Sequence, residues 1–503
     1  MVRRCAIALI FIAITTAAWA QDAPPAREQG AASLDNKEGA TNAEGQDGKC
    51  AKNFNIDALM LYGQYNRILW EGSITQSFDA FTYQLKSNFK RSNDFGYRNS
   101  RYYDNEIGFT GDADVTERWK LSPQVDVRND SHGMFRNPYY SREEKDRVSV
   151  RLKNEVTPMP MRWTIAVGGV YAIHRLDSTI FGDTIGMVTY HSSEFYKFTF
   201  DLGWEYIMSA ANKFTFNSRF NQYWFSSADN NTDTTSTFVW YFNISEYLKF
   251  GLGPLYEYNR DGGHFVSGLA EISTVNIKHI SLNASYRYEM PPFTPEQFYF
   301  EQRYVQPTYR LGPGKGHRAE LGVQVGADFK SDAPVYVERL NLRASGMYRT
   351  LDRYYSFFTL PYEVLYPHQM VVSQYRGRCQ AGIGVRVIKA GFELGGEYEF
   401  NGWRASDYVT YLPHHQAGGY IRISISRVNA EFSTGYRGLV ETSPFMHIAM
   451  GGAITGTVSL QARVMDSFSL FVRVDNIYNT RYDTVYGYPE QGRTLIGGLR
   501  VVI

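Results

Sequence analysis

Alternation of apolar and polar side chains, with a period of two residues, is the sequence feature that most limits this fold. Near the C-terminus, one face of a first segment carries Phe468, Leu470, Val472 and Val474, and one face of a second carries Leu495, Leu499, Val501 and Ile503. Side chains alternate across a β-strand, so each segment is predicted to form a strand with one apolar and one largely polar face. The sequence ends inside this pattern, as expected for a membrane barrel whose last strand pairs with its first.

The same alternation recurs from Phe54 onward, between stretches rich in turn-forming residues. The apolar faces could meet in a soluble sandwich, but a sandwich of this length would divide into linked domains, and the sequence has no such linkers. Beyond the N-terminus there is no apolar run of about 18 residues that could form a membrane helix. The predicted fold is therefore all-β, a transmembrane antiparallel outer-membrane β-barrel of about 22 strands over residues 54–503.

Short turns and longer polar segments alternate along the sequence, which is typical of a barrel with turns at one end and loops at the other. Tight turns are predicted near Gly312–Gly316 and Asp352, among other places, and Lys330–Pro334 is predicted to be an outer loop. A hairpin at Ile56–Phe78 would add two strands to the count. The segments Asn129–Lys145 and Leu176–His191 are the loops expected to narrow the outer mouth.

The N-terminal region differs from the rest of the sequence. Residues 1–20 have a basic start, an apolar run and an Ala-Trp-Ala cleavage pattern, so they are predicted to be a signal peptide. Residues 21–53 lack large apolar side chains and are predicted to be a disordered, low-complexity periplasmic leader. Whether Cys50 and Cys379 form a disulfide is open from the sequence.

Composition fits an outer-membrane protein. The chain has 38 Tyr and 32 Phe residues, which suits the aromatic girdles at the two membrane interfaces of a barrel. Its formal net charge of +1 argues against a nucleic-acid partner, which needs a strongly basic surface.

The segment between the last two predicted strands carries a recognisable motif. Its residues are Asn476, Tyr482, Gly487, Pro489, Gly492 and Arg493. They resemble the C-terminal motif of TonB-dependent outer-membrane receptors, with Ile503 in place of the usual terminal Phe. The resemblance implies residence in the outer membrane of a Gram-negative-type bacterium, contact with outer-membrane lipid, and insertion by the barrel-assembly machinery.

The folded plug that precedes the barrel in those receptors is not recognisable here. The resemblance therefore suggests a plug-less barrel, to which a separate plug or a TonB-type energy-coupling protein could bind as a partner.

Charged residues occupy the polar faces of many predicted strands. Those chosen as candidate lining of a wet lumen are Arg147, Arg151, Glu393, Glu397, Arg422 and Arg500. Paired carboxylates could indicate hydrolysis, but no nucleophile and base accompany them, so no enzyme activity and no cofactor are predicted. A metal site at His414 and His415 is not expected, because adjacent residues of a strand point in opposite directions.

Two functions are compatible with these observations. The first is solute passage across the outer membrane, either passive or with a separate plug or energy-coupling partner, and it predicts that the purified barrel conducts ions. The alternative is a non-transporting scaffold or surface-interaction barrel, which would not leak.

Overall fold

A single sheet forms the protein wall. The computed structural model describes residues 54–93, 100–134, 140–178, 191–209, 211–226, 230–274, 277, 279–290, 313–359 and 364–503. Within these ranges, 22 antiparallel strands join edge to edge into a closed barrel. The predicted fold class and strand number are confirmed. In the same ranges, no helix is long and apolar enough to cross a bilayer.

The strands follow one another around the barrel in chain order. They are β1 (Phe54–Gly63), β2 (Arg67–Ser77), β3 (Phe81–Ser92), β4 (Tyr102–Thr116), β5 (Trp119–Gly133), β6 (Tyr140–Val156), β7 (Met161–Ser178), β8 (His191–Ile207), β9 (Asn212–Phe225), β10 (Asn231–Asn243), β11 (Leu248–Asn259), β12 (Gly263–Thr274), β13 (Ile280–Glu289), β14 (Gly316–Asp328), β15 (Val335–Phe358), β16 (Tyr366–Val387), β17 (Ala390–Ala405), β18 (His415–Ile425), β19 (Val428–Arg437), β20 (Val440–Glu441), β21 (Ala449–Met450), β22 (Ala453–Met465), β23 (Phe468–Asp475), β24 (Asp483–Val485), β25 (Tyr488–Pro489) and β26 (Thr494–Val502). The pairs β20–β21 and β24–β25 are small sheets inside two of the loops. A 3-10 turn, Gln64–Asn66, joins β1 to β2.

The barrel closes where β1 pairs with β26. Ala58 lies opposite Val501 in this register. Ile56 and Ile503 exchange two backbone hydrogen bonds, each with an N–O distance of 2.9 Å. Closure leaves the described sheet without an edge strand, whose unpaired N–H and C=O groups a bilayer could not solvate.

The outer face of the wall is apolar. The side chains of Leu321, Leu394, Ile421, Leu470 and Leu499 are all exposed although they lie in mid-strand. Their polar neighbours alternate onto the opposite face, which in a closed barrel is the interior. The alternation in the sequence therefore separates a lipid-facing surface from a polar lumen.

The two ends of the barrel differ as expected, but three predicted connections were wrong. Residues 329–334 form the short connection between β14 and β15, at the end of the barrel that holds Phe54 and Ile503, and not an outer loop. β14 starts at Gly316, at the opposite end of the barrel, where the long loops are. The tight turn predicted near Gly316 therefore does not join two strands at the end that holds Phe54 and Ile503. Asp352 lies within β15, at a register shift between Leu351 and Tyr354, where its carboxylate accepts a hydrogen bond from the Lys315 backbone N–H.

The false turn at Asp352 and the uncounted hairpin at Ile56–Phe78 offset each other, so the predicted strand count still agrees with the structure. The bulge at Asp352 resembles a turn in sequence because a polar pair interrupts the alternation, yet the strand continues through it. The hairpin at Ile56–Phe78, which the predicted count of 22 left out, is present, since β1 and β2 form it.

Substitutions at the seam test which face is which. We expect Leu499→Arg to reduce the folded yield, because a lipid-facing Arg costs about 2–4 kcal/mol at the bilayer midplane and less toward an interface. Arg500→Leu should be milder, since it removes only an interior side chain that pairs with Asp57 at 2.7 Å. Heat-modifiability gels measure the folded fraction, and equal losses for the two variants would contradict the assigned faces.

Candidate functional site in the lumen and at its outer mouth

The six candidate lining residues all lie on strands whose apolar faces point outward, and five of them form ion pairs with residues of an adjacent or next-but-one strand. Arg151 on β6 and Arg219 on β9 both bind Asp201 on β8, each with an N–O distance of 2.6 Å. The remaining candidate, Arg147 on β6, lies directly opposite Arg128 on β5. This part of the wall therefore presents charges of both signs to the interior.

The same pattern is denser on the far side of the barrel. Arg422 lies between Glu393 and Glu431, with both N–O distances 2.9 Å. Glu397 accepts hydrogen bonds from Arg378 at 2.7 Å and from Gln380 at 2.9 Å. These side chains are about half exposed, so each pair contributes only about 0–1 kcal/mol to stability. Their main effect is to keep the wall polar and charge-balanced.

A cavity of about 880 Å³ lies against this wall. Its polar lining includes Arg378, Glu397, Tyr420, Arg422 and Glu431. Tyr482 and Thr484, from the loop between β23 and β26, line it as well, so this loop reaches over the cavity. The volume is within the range of small-molecule sites.

Apolar residues meet at the outer end of the barrel. The buried members of this cluster, the mouth cluster, are Met134, Ala172, Leu176, Phe195, Val364, Leu365, Val485 and Tyr488. They come from the outer ends of β5, β7 and β8, from the loop between β15 and β16, and from β24 and β25. Because β7 and β8 are far from β15 and β16 around the wall, these residues can meet only if loops extend inward over the lumen.

The last loop has an internal hydrogen-bond framework that holds it in this inward position. The Asn476 side-chain amide donates to the backbone oxygens of Thr480 at 2.9 Å and Gln491 at 3.3 Å. The Asp483 carboxylate accepts the Gly487 N–H at 2.9 Å, and burial raises the pKa of this carboxyl above its usual value. Gly487 has a φ of 86°, a conformation that favours glycine.

The remaining motif residues belong to the same loop. Arg437 from the end of β19 stacks over the Tyr482 ring at 5.5 Å and donates to the Asp483 backbone oxygen at 2.8 Å. Pro489 is part of β25, Gly492 lies beside the Asn479 side chain, and the Arg493 N–H donates to the Asn479 side-chain oxygen at 3.0 Å. The motif thus shapes the loop that covers the cavity.

A second apolar cluster secures the neighbouring loop between β17 and β18. Its buried residues are Leu351, Met370, Val372 and Val409. The Thr410 backbone N–H donates to the Ser356 hydroxyl at 2.7 Å, which ties this loop to the end of β15. Burial raises the pKa of Tyr411, which packs against the mouth cluster.

Sequence reasoning did not identify the mouth cluster. It expected Asn129–Lys145 and Leu176–His191 to narrow the mouth. Residues 129–133 and 140–145 belong to strands β5 and β6, and residues 135–139 and 179–190 lie outside the described residues. The available signal was the presence of apolar residues within two loops, Val364 with Leu365 in one and Val485 with Tyr488 in the other.

The histidines lie in different surroundings. His414 stacks on Trp403 with ring centroids 4.1 Å apart, and its Nδ1 lies 2.8 Å from the Asn401 carbonyl oxygen. His415 contacts Tyr398, and His368 pairs with Asp407 at 3.1 Å, which lowers the pKa of that carboxyl. In the described ranges, no group of three or more His, Cys, Asp or Glu side chains is arranged to hold a metal ion.

Cys379 offers a test of the two faces. It is an exposed free thiol opposite Tyr398, on the lipid-facing side, whereas its neighbour Gln380 points to the cavity. Two variants are compared in vesicles, both with Cys50→Ser. We expect a charged, water-soluble maleimide to label the variant that carries Cys379→Ser and Gln380→Cys. The variant that keeps Cys379 should remain unlabelled. Preferential labelling of Cys379 would reverse the assignment.

Comparisons with known proteins show what this barrel is similar to. No family model and no curated protein matches the sequence. Among solved structures, the copper transporter OprC has a TM-score of 0.69 at 12% identity, covering 91% of this chain and 82% of that one. The siderophore receptor PirA from Acinetobacter baumannii has a TM-score of 0.65 at 10% identity, with coverages of 90% and 81%. The F5-1 variant of the FrpB iron transporter from Neisseria meningitidis has a TM-score of 0.66 at 9% identity, with coverages of 90% and 83%.

At these identities the likeness concerns the fold. The chain has the barrel fold of TonB-dependent outer-membrane receptors, which confirms the expected resemblance at the level of the fold.

Proposed function

We propose that this outer-membrane barrel, which shares its fold with known transporters and receptors, passes a small polar solute through a gated lumen. The charge-lined cavity beneath the last loop supports the proposal. A water-filled interior with both signs of charge accommodates hydrated solutes better than lipids. The similar proteins are named as metal transporters or a siderophore receptor, which is compatible with a charged or chelated cargo.

One pair of adjacent residues carries the gating part of this proposal. Thr484 lines the cavity, and Val485 is buried in the mouth cluster. A solute that binds in the cavity therefore contacts the same strand, β24, that helps to close the mouth. Displacing β24 would expose Val485 and loosen the apolar contacts over the lumen.

Opening has an energetic cost. Exposing one buried Val, Leu or Phe side chain costs about 1.5–3 kcal/mol, and the mouth cluster contains several. The closed form is therefore favoured at rest. Energy to open it would come from ligand binding outside, or from a separate plug or TonB-type coupling partner acting from the periplasm.

The mouth cluster also favours a second function. A barrel whose outer end is permanently joined by apolar contacts would serve as a scaffold or surface-interaction protein. In that case the lumen charges would only balance one another, and no solute would pass.

Conductance in planar bilayers separates these functions. We expect the wild-type barrel to conduct rarely and Leu365→Ser/Val485→Ser to conduct often, because two polar groups would then be buried without partners in the closed mouth. Ion selectivity should be weak, since the lining carries both signs. Cells that express the double variant should become sensitive to large antibiotics that the outer membrane excludes.

The matched control is Leu439→Ser, a substitution in another outer loop at a side chain that is 48% exposed. It should behave like the wild type. A double variant that folds, by heat-modifiability, but is as silent as this control would support the scaffold.

A further inference from the structure

One arrangement of three aromatic residues occurs at three places on the barrel. A Tyr on one strand is followed two residues later by a second aromatic ring, and a His on the next strand lies directly opposite that second ring. The three units are Tyr256, Tyr258 and His264; Tyr286, Tyr288 and His317; and Tyr398, Phe400 and His415.

The contacts within the three units are nearly identical. The first Tyr hydroxyl lies 2.9, 2.8 and 2.8 Å from the His Nδ1 in the three units, respectively. The ring centroids of the second aromatic residue and the His are 4.7, 4.4 and 5.4 Å apart. Each imidazole is thus held between a hydrogen bond and a ring face.

All three units lie on the lipid-facing side near the outer end of the barrel. His264, His317 and His415 are exposed and occur at the starts of β12, β14 and β18, which are at the long-loop end. The same faces continue toward the membrane centre with exposed apolar side chains, including Val266, Leu321 and Leu394. This level is the boundary between the apolar band and the outer loops, where lipid headgroups lie.

The direction of the hydrogen bond between the Tyr hydroxyl and Nδ1 sets the tautomer of each imidazole. When the Tyr O–H donates to Nδ1, the neutral ring carries its proton on Nε2, which is then a donor directed away from the Tyr. An aromatic residue without this N–H would fill the girdle equally well, so packing alone does not explain three His in this arrangement.

A cation lies beyond each unit in the outward direction. Exposed Arg260 follows Tyr258 by two residues, and exposed Arg404 follows Phe400 on the same face. Lys315 precedes His317 by two residues. Each unit therefore has a cationic residue next to it in the outward direction, and Arg260 also donates to the Asn230 backbone oxygen at 2.7 Å.

We propose that these three Tyr–His units bind the phosphate groups of outer-leaflet lipid headgroups. Phosphate is a strong acceptor, and an imidazole donor beside an Arg or Lys provides charge-assisted hydrogen bonds to it. The aromatic rings contact the sugar and acyl region just below. This binding fixes the depth of the barrel in the outer leaflet and does not depend on solute passage.

Lipid retention tests the proposal. The full-length barrel is placed in phosphatidylcholine nanodiscs that contain either bis-phosphorylated lipid A or the same lipid without phosphates, and native mass spectrometry counts the lipids retained. We expect the wild type to retain the phosphorylated form about tenfold better. His264→Phe/His317→Phe/His415→Phe should abolish this preference while keeping the girdle aromatic.

Two further variants make the result specific. Tyr256→Phe/Tyr286→Phe/Tyr398→Phe removes only the orienting hydroxyls and should give an intermediate preference. The control changes three exposed aromatic residues of the same surface that have no His partner among the described residues, in the variant Tyr196→Phe/Tyr348→Phe/Tyr375→Phe. It should match the wild type. Equal retention of both lipids by the wild type, or an unchanged preference in the His variant, would overturn the proposal.

Discussion

The structure depends on the requirement that every backbone N–H and C=O group within the bilayer have a partner. A sheet meets this requirement only if it closes, because an open edge would leave a row of unpaired groups in lipid. Here closure is made by β1 and β26, and the hydrogen bonds between Ile56 and Ile503 complete it at the end with the short turns. The lipid face, the lumen and the outer mouth all exist because this seam forms.

Closure also creates a space that the wall cannot fill. A barrel of about 22 strands is wider than its side chains, so the interior must be wet or covered. This protein does both. Paired charges such as Arg422 and Glu431 line a cavity, and the last loop reaches over it and packs its apolar residues against the far wall. A polar lumen beneath an apolar closure is an arrangement suited to gating.

The wall was predictable from the sequence, and the mouth was not. Alternation is a local property, so segments such as 421–425 reveal their strand type and their two faces without knowledge of the fold. The mouth cluster joins Leu176 to Val485 across the barrel, and no local pattern records such a contact. The Tyr–His units were missed for a similar reason, because Tyr286 and His317 become neighbours only through the register of β13 and β14. Asp352 shows the reverse error, in which a local irregularity was mistaken for a turn.

Disulfide trapping across the seam tests closure most directly. In a chain with Cys50→Ser and Cys379→Ser, Ala58→Cys and Val501→Cys are directly opposite, within the Cα separation that a disulfide spans. Mild oxidation in the membrane should link them nearly completely. Ala58→Cys with Leu499→Cys is a diagonal pair and should link poorly. Efficient linking of the diagonal pair, or none in either, would contradict a barrel closed in this register.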